Sequence, residues 1–200
     1  AKSRKISVSS GFHSPFQDFS RFFDLAFLVK PIQRYLTWFH NSTDVTCVPS
    51  QYTEQALRSF GVTCPLVVVG RGVDTVKFSP KYRSQQLRQQ WGVDTNTRVM
   101  LYVGRLSPEK EVDVLIRGFH ALQAQQGTNI KFVIVGDGPD RIRLSKLTTS
   151  HDVIFTGSLS GRELAMAYAS ADVFTFASQA DTFGNVVLEA IASGLPVIAY

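Results

Sequence analysis

From Val99 onward, short apolar runs alternate with stretches of helical periodicity, and no other feature of the sequence constrains the fold as tightly. Strands are predicted at Val99–Val103, Lys131–Val135, Val153–Thr156, Val173–Phe176 and Val197–Tyr200. Helices are predicted between them, near Lys110–Gln123, Arg141–Leu147, Arg162–Ala169 and Asn185–Ser193. The first has Val112, Leu115, Ile116, Phe119 and Leu122 on one face, and Ser160 with Glu163 has the spacing of a capping box for the third. Strand–helix units repeated in this order give a doubly wound parallel sheet. Ligands of such sheets sit beyond the carboxyl ends of the strands. The segments leaving those ends are Gly104–Lys110, Gly136–Pro139, Gly157–Ser160 and the stretch from Ala177 into the last helix, so all four are expected to line one crevice.

The earlier part of the chain follows the same logic. Lys5–Ser9 alternates like a short strand, with His13 in the loop after it. Phe16, Phe19, Phe23 and Phe27 recur at helical spacing, the pattern of a core stripe. A helix is predicted from Pro31 through Phe39, a strand at Asp44–Val48, and a helix capped by Ser50 and ending at Gly61. Leu66–Val69 is continuously apolar, as in a strand buried on both faces. Gly70–Asp74 breaks the pattern, and the polar, Gln-rich stretch Tyr82–Trp91 resembles a crossing between domains. The expected division is therefore 1–75 and 76–200, each part a parallel-sheet domain.

Composition adds limits. The chain has 200 residues, 44% hydrophobic and 18% charged, which suits a folded α/β protein. No apolar run approaches the ~20 residues that span a bilayer. Cys47 and Cys64 lack metal-like spacing and point to a reducing, cytoplasmic compartment. With no initiator Met and a final strand with nothing after it, the sequence is expected to be an excerpt. Residues 1–80 hold nine Lys/Arg against five Asp/Glu, most of the net charge of +5. That basic, aromatic part by itself fits an anionic membrane surface, a nucleic acid or an ordinary solvated face. For so small an imbalance the solvated face is expected, and for the chain as a whole no nucleic-acid partner is.

The last predicted helix starts near Gly184 and Asn185 and stops at Gly194, with Pro196 just beyond. Its free N–H groups and dipole suit an anion such as a phosphate. Asp181 before it and Glu189 inside it suit hydroxyls attached on either side of that anion. Arg105 and Lys110 would add two cations and make the point a diphosphate site. The other reading leaves both as surface charges, with Lys110 paired to Glu109 or Glu111. No Asp-x-Asp pair and no Walker-type loop occurs, so neither a metal clamp on phosphates nor that class of phosphoryl transfer is expected. Gly136-Asp-Gly-Pro139 fits a turn better than a phosphate loop. A lone His13 fits a polar loop residue as well as a functional one.

Arg105 with Lys110, Asp181-Thr-Phe-Gly-Asn-Val-Val-Leu-Glu189-Ala, and the following Ser-Gly-Leu-Pro-Val resemble the signature of retaining GT-B glycosyltransferases of the glycosyl transferases group 1 family. Gly70-Arg-Gly-Val-Asp-Thr-Val-Lys-Phe78 is similar to the hinge of that family. The resemblance is nearest to GDP-mannose-dependent α-mannosyltransferases and sulfoquinovosyldiacylglycerol-synthase-like enzymes, and covers the middle of such an enzyme. It implies a GT-B fold, two Rossmann-like doubly wound domains, both incomplete here, with the acceptor side first and the donor side second. It implies metal-independent transfer of a mannose- or glucose-type hexose from a nucleoside-diphosphate sugar, without a cofactor. The acceptor would be a sugar, glycan or lipid, with peripheral contact at the inner face of an anionic membrane. Arg105 and Lys110 would hold the diphosphate, Asp181 the donor sugar and Glu189 the ribose. Phe183, Gly184 and Asn185 would present backbone amides, Gly104 and Arg71 would join the donor site, and His13 would approach the sugar. Asp181 stands where the family has Glu, one methylene longer. A GT-B nucleotide-sugar epimerase, a phosphorylase-like enzyme or a non-catalytic nucleotide-sugar binding module are the alternatives.

Overall fold

The computed structural model describes residues 6–13, 29–125, 129–148, 150–178 and 184–199. They form two compact units, one ending at Gly72 and one beginning at Val73.

The first unit contains β1 (Ser9–Gly11), α1 (Val29–Asn41), β2 (Val45–Val48), α2 (Gln51–Ser59) and β3 (Leu66–Val68). Its three strands are parallel in the order β1-β2-β3. β1 starts later than the alternation of Lys5–Ser9 suggested. Its ladder begins where β2 can pair, at Ser9 opposite Val45, after Asp44 has bonded the Val8 N–H through its carboxylate and the Val8 carbonyl through its own N–H. Ser50 caps α2 by accepting from the Thr53 N–H at 3.2 Å, as its position in the sequence suggested. The Asn41 side chain ties the end of α1 to the turn after α2, donating to the Gly61 carbonyl and accepting from the Thr63 N–H. His40 is buried among Ser10, Thr43 and Thr46, with Phe12 and Phe39 presenting ring edges to it. The expected burial of β3 on both faces is not found. Val67, Val68 and Val69 are exposed, and β3 is an outer strand of this sheet among the described residues. The Phe16–Phe27 stripe lies outside the described residues.

The second unit is built on β4 (Arg98–Val103), β5 (Ile130–Val135), β6 (Val153–Gly157), β7 (Val173–Phe176) and β8 (Val197–Ala199). These strands are parallel, in the order β6-β5-β4-β7-β8. Helices α3 (Gln85–Gln90), α4 (Val112–Gln123), α5 (Arg141–Lys146), α6 (Gly161–Ser170) and α7 (Asn185–Ala192) complete it. Alternate residues of β4 feed two cores. Val99, Leu101 and Val103 pack with Ala165, Tyr168, Phe174 and Ala190 on one face. Met100 and Tyr102 pack with Ile116, Phe119 and Leu144 on the other. A sheet covered on both faces is what near-continuous apolar strands require. Ser160 does occupy the N-cap position of α6, but its side chain makes no capping bond, so the capping-box spacing there is not used. None of the described helices is long and apolar enough to cross a membrane.

The Gln-rich stretch before β4 belongs to this second unit and is fastened to it by charge. Arg88 is only 4% exposed. It donates to Asp172 Oδ2 at 2.9 Å, to the Ser170 carbonyl at 2.8 Å and to the Thr97 carbonyl at 2.8 Å. Arg83 reaches Asp172 Oδ1 at 2.8 Å, and the Val99 N–H donates to Oδ2. Burial pushes the Asp172 carboxyl up, but the bonds from Arg88, Arg83 and Val99 outweigh it and hold the group below its ordinary range. Asp172→Ala, which strands a buried guanidinium, is expected to cost about 3–5 kcal/mol in urea unfolding. Because the folded-state pKa is depressed, the Asp172 contribution is full at neutral pH and lost as pH falls through that lowered value. Loss of less than about 1 kcal/mol would show that Arg88 is solvated rather than locked.

Candidate active site

Chain order sets where a ligand fits. From β4 the chain adds β5 and β6 on one side, then returns to lay β7 and β8 on the other. The crossovers therefore diverge between β4 and β7, a switch point that opens a crevice at the carboxyl ends. Gly104–Glu111 leaves β4 there, and the segment leading to α7 leaves β7.

The loop after β4 is held by backbone more than by side chains. The Gly104 N–H bonds the Val135 carbonyl, Leu106 N–H bonds the Asp137 carbonyl, and Asp140 N–H returns to the Leu106 carbonyl. Gly136 and Gly138 sit so close that a Cβ on either would collide with the carbonyl oxygen of Gly104 or Leu106. The Gly-Asp-Gly-Pro turn thus serves as the bed of the neighbouring loop. Tyr102 Oη donates to the Arg105 carbonyl at 3.0 Å from inside the core. With Leu106, Ser107 and Glu109 buried, Arg105 is turned outward and exposed, while Lys110 is half-buried.

Glu109 is drawn inward. Its Oε1 accepts from Ser107 Oγ at 2.6 Å, and its Oε2 is buried with no hydrogen-bond partner. Its carbonyl lies 3.4 Å from the Ser178 hydroxyl, a contact that brings the segment after β7 against the loop after β4. A one-turn 3₁₀ helix, Pro108–Lys110, ends at Glu111, whose φ of 49° is the one left-handed value among the described non-glycine residues. Glu111 Oε2 is buried without a partner as well.

α7 opens on Gly184 at φ 55°, a left-handed cap that has no side chain of its own to bond the first N–H groups. Those donors and the dipole face the crevice end of the sheet. Asn185 is exposed at the first position. Glu189 follows one turn later, half-buried, and its Oε2 accepts from Tyr168 Oη of α6 at 2.9 Å. Burial pushes the Glu189 carboxyl above its usual range, against the Tyr168 bond and the charge of Lys77.

Of the residues singled out in the sequence, Gly104, Arg105 and Lys110 share one loop, and Gly184, Asn185 and Glu189 share one helix. Both segments leave the carboxyl ends of hydrogen-bonded neighbours, β4 and β7. His13, exposed two residues past β1, and Arg71, also exposed, lie in the first unit. Asp181 and Phe183 fall outside the described residues. Sequence reasoning missed Tyr168 and the strained Glu111. Nothing in the helical period of α6 marks Tyr168 as a partner of Glu189, whereas a Glu following Glu-Lys at a helix start carried no signal for a left-handed backbone.

Residues 83–200 match the family described as Glycosyl transferases group 1, and residues 1–77 match Glycosyltransferase Family 4. The sulfoquinovosyl transferase SQD2 of Arabidopsis thaliana is 34% identical over 202 residues, covering 100% of this chain and 39% of that protein. A GDP-mannose-dependent alpha-mannosyltransferase of Mycobacterium tuberculosis is 45% identical over 166 residues, covering 81% of this chain and 41% of its own length. The chain therefore spans well under half of these curated relatives. Among solved structures, Anabaena HepE in complex with UDP and glucose superposes with a TM-score of 0.78 at 24% identity, over 99% of this chain and 54% of that one. Sucrose-phosphate synthase of Thermosynechococcus elongatus gives 0.78 at 22% identity, over 99% and 52%. These likenesses show the fold: the Rossmann-like, parallel-sheet architecture of GT-B proteins.

Two substitutions test the loop geometry. Gly136→Ala, which forces a methyl onto the Gly104 carbonyl at a φ of 138°, is expected to lower stability by about 1–3 kcal/mol in thermal unfolding. Glu111→Gly removes a left-handed side chain and a buried unpaired oxygen, and is expected to raise stability by about 0.5–1 kcal/mol. The opposite sign for either would refute the described backbone.

Proposed function

The chain belongs to the glycosyl transferases group 1 family, and on that premise we propose that its protein transfers a mannose- or glucose-type hexose from a nucleoside-diphosphate sugar to an acceptor, with retention of anomeric configuration. The observation that carries this reading is the pairing of two neighbouring segments. One presents Arg105 and Lys110, and the other presents the open N-terminus of α7 at Gly184 and Asn185. Two cations and a dipole at one switch point suit a diphosphate that gains negative charge as it leaves. Glu189 grips the ribose, and Asp181, from the family pattern, the donor sugar. Phe183 and Gly104 add backbone contacts, and His13 and Arg71 of the first unit keep the roles implied by resemblance. The acceptor attacks the face that the diphosphate leaves, and a phosphate oxygen takes its proton, so no side-chain nucleophile is assigned. The Arg–Lys pair supplies the positive charge that a metal brings in other transferases, and no cofactor is assigned.

Relatives named for GDP-mannose and for a sulfoquinovosyl group, and an alpha-monoglucosyldiacylglycerol synthase of Streptococcus pneumoniae at 29% identity, support a nucleotide-sugar donor and a lipid or glycan acceptor. On α1, Tyr35 and Trp38 are exposed beside Lys30 and Arg34. Aromatic and basic side chains on one helix suit peripheral contact with an anionic membrane from the cytoplasmic side.

The test uses the intact protein with GDP-mannose and UDP-glucose, with and without lipid and glycan acceptors. Acceptor-dependent release of nucleoside diphosphate is expected. Epimer formation, or binding without turnover, would replace transfer with another reading. Arg105→Ala and Lys110→Ala are each expected to lower kcat by about 10²–10³ while the circular dichroism spectrum is unchanged. Near-normal rates in both would remove the diphosphate assignment.

A further inference from the structure

We infer that Tyr168 is a positioning residue for donor binding: its hydroxyl fixes the Glu189 carboxylate in the orientation that receives the ribose of the nucleotide. This rests on the ribose role proposed for Glu189. The ring of Tyr168 is fully buried, locked edge-on against Phe78 at 5.6 Å between centroids and tilted against Phe174 at 5.8 Å. A side chain wedged between two rings has one orientation, and in that orientation its Oη stands 2.9 Å from Glu189 Oε2. Burial, reinforced by the Glu189 charge, keeps the phenol protonated, so it donates and never competes as an anion. An ionised carboxylate has about four acceptor sites, and the phenol uses one, leaving the group able to accept from a vicinal diol.

Phe78 owes its place to a local turn. Asp74 accepts from the N–H groups of Val76 and Lys77 at 2.9 and 3.0 Å, and the Phe78 N–H returns to the Asp74 carbonyl at 2.8 Å. That turn also sets Lys77 where its charge acts on Glu189. Among the described residues, the titratable groups acting on this carboxylate are Tyr168 from α6 and Lys77 from the segment before α3, with Tyr102 of β4 acting on Tyr168 in turn. Both Tyr168 and Lys77 oppose the effect of burial and favour the ionised form.

The experiment measures binding of GDP, UDP and their 2′,3′-dideoxy analogues to the intact protein by calorimetry between pH 5 and 8. Tyr168→Phe, which keeps the ring, is expected to weaken binding of the preferred ribonucleotide about three- to tenfold and the dideoxy form by less than about twofold. The acid side of the affinity profile moves to higher pH, because the carboxylate loses a donor and protonates more readily. Equal losses for both nucleotides, or an unmoved profile, would reduce Tyr168 to a core residue and overturn the inference. Glu189→Gln runs alongside: if it leaves ribonucleotide affinity unchanged, the ribose role itself fails and takes this inference with it. A normal loss in Glu189→Gln with none in Tyr168→Phe overturns only the positioning role.

Discussion

Two polypeptide loops lie so close at the carboxyl end of the second sheet that no side chain fits between them. Gly136 and Gly138 press against the carbonyls of Gly104 and Leu106, and reciprocal N–H bonds fill the remaining contacts. The rest of the candidate site depends on this constraint. With its backbone satisfied and its apolar residue buried at Leu106, the loop after β4 has one way to face, and Arg105 is left on the outside. A charged group needs a fixed base if it is to meet a ligand in one geometry, because a long side chain on a mobile loop loses its binding energy to disorder.

The same loop carries the cost of its shape. Glu111 holds a left-handed backbone without being glycine, and Glu109 and Glu111 each bury an oxygen that has no partner. Strain and unsatisfied polar atoms persist where surrounding structure overrides them, and here the surroundings are the buried Leu106 and Val112 on either side. Glu109 is withdrawn to Ser107, so its carboxylate is spent on the turn that carries Lys110. On α7, burial works on Glu189 in the direction of protonation, and two neighbours work against it. The site is a balance of desolvation against placed donors.

Much of this was legible in the sequence. The five strands of the second unit and the helices between them follow from apolar runs and helical periods, because a sheet covered on both faces writes its burial directly into residue type. The candidate loops were legible too, since parallel order alone sends them to one edge. What the sequence hid is tertiary. Ser160 and Glu163 have the spacing of a capping box that the Ser160 side chain does not complete. Leu66–Val69 looks buried, yet Val67, Val68 and Val69 are exposed on an outer strand among the described residues. Arg88 sits in a run of glutamines and is buried all the same, because Asp172 and two carbonyls, far along the chain, satisfy it. Tyr168 belongs with these: a core aromatic by pattern, a carboxylate partner only once α6 and α7 are side by side.

Asp172 and its two arginines close the opposite rim of the sheet, ahead of β4 and β7, where Thr97 and Val99 also take part. The two rims thus divide the labour of the domain. One carries charged fastenings between distant parts of the chain, and the other carries the exposed Arg105, the half-buried Lys110 and the glycine-capped start of α7. A protein arranged this way is modular along its strands. The carboxyl-rim loops can vary outside the Gly136 and Gly138 contacts while the amino rim holds the scaffold in register.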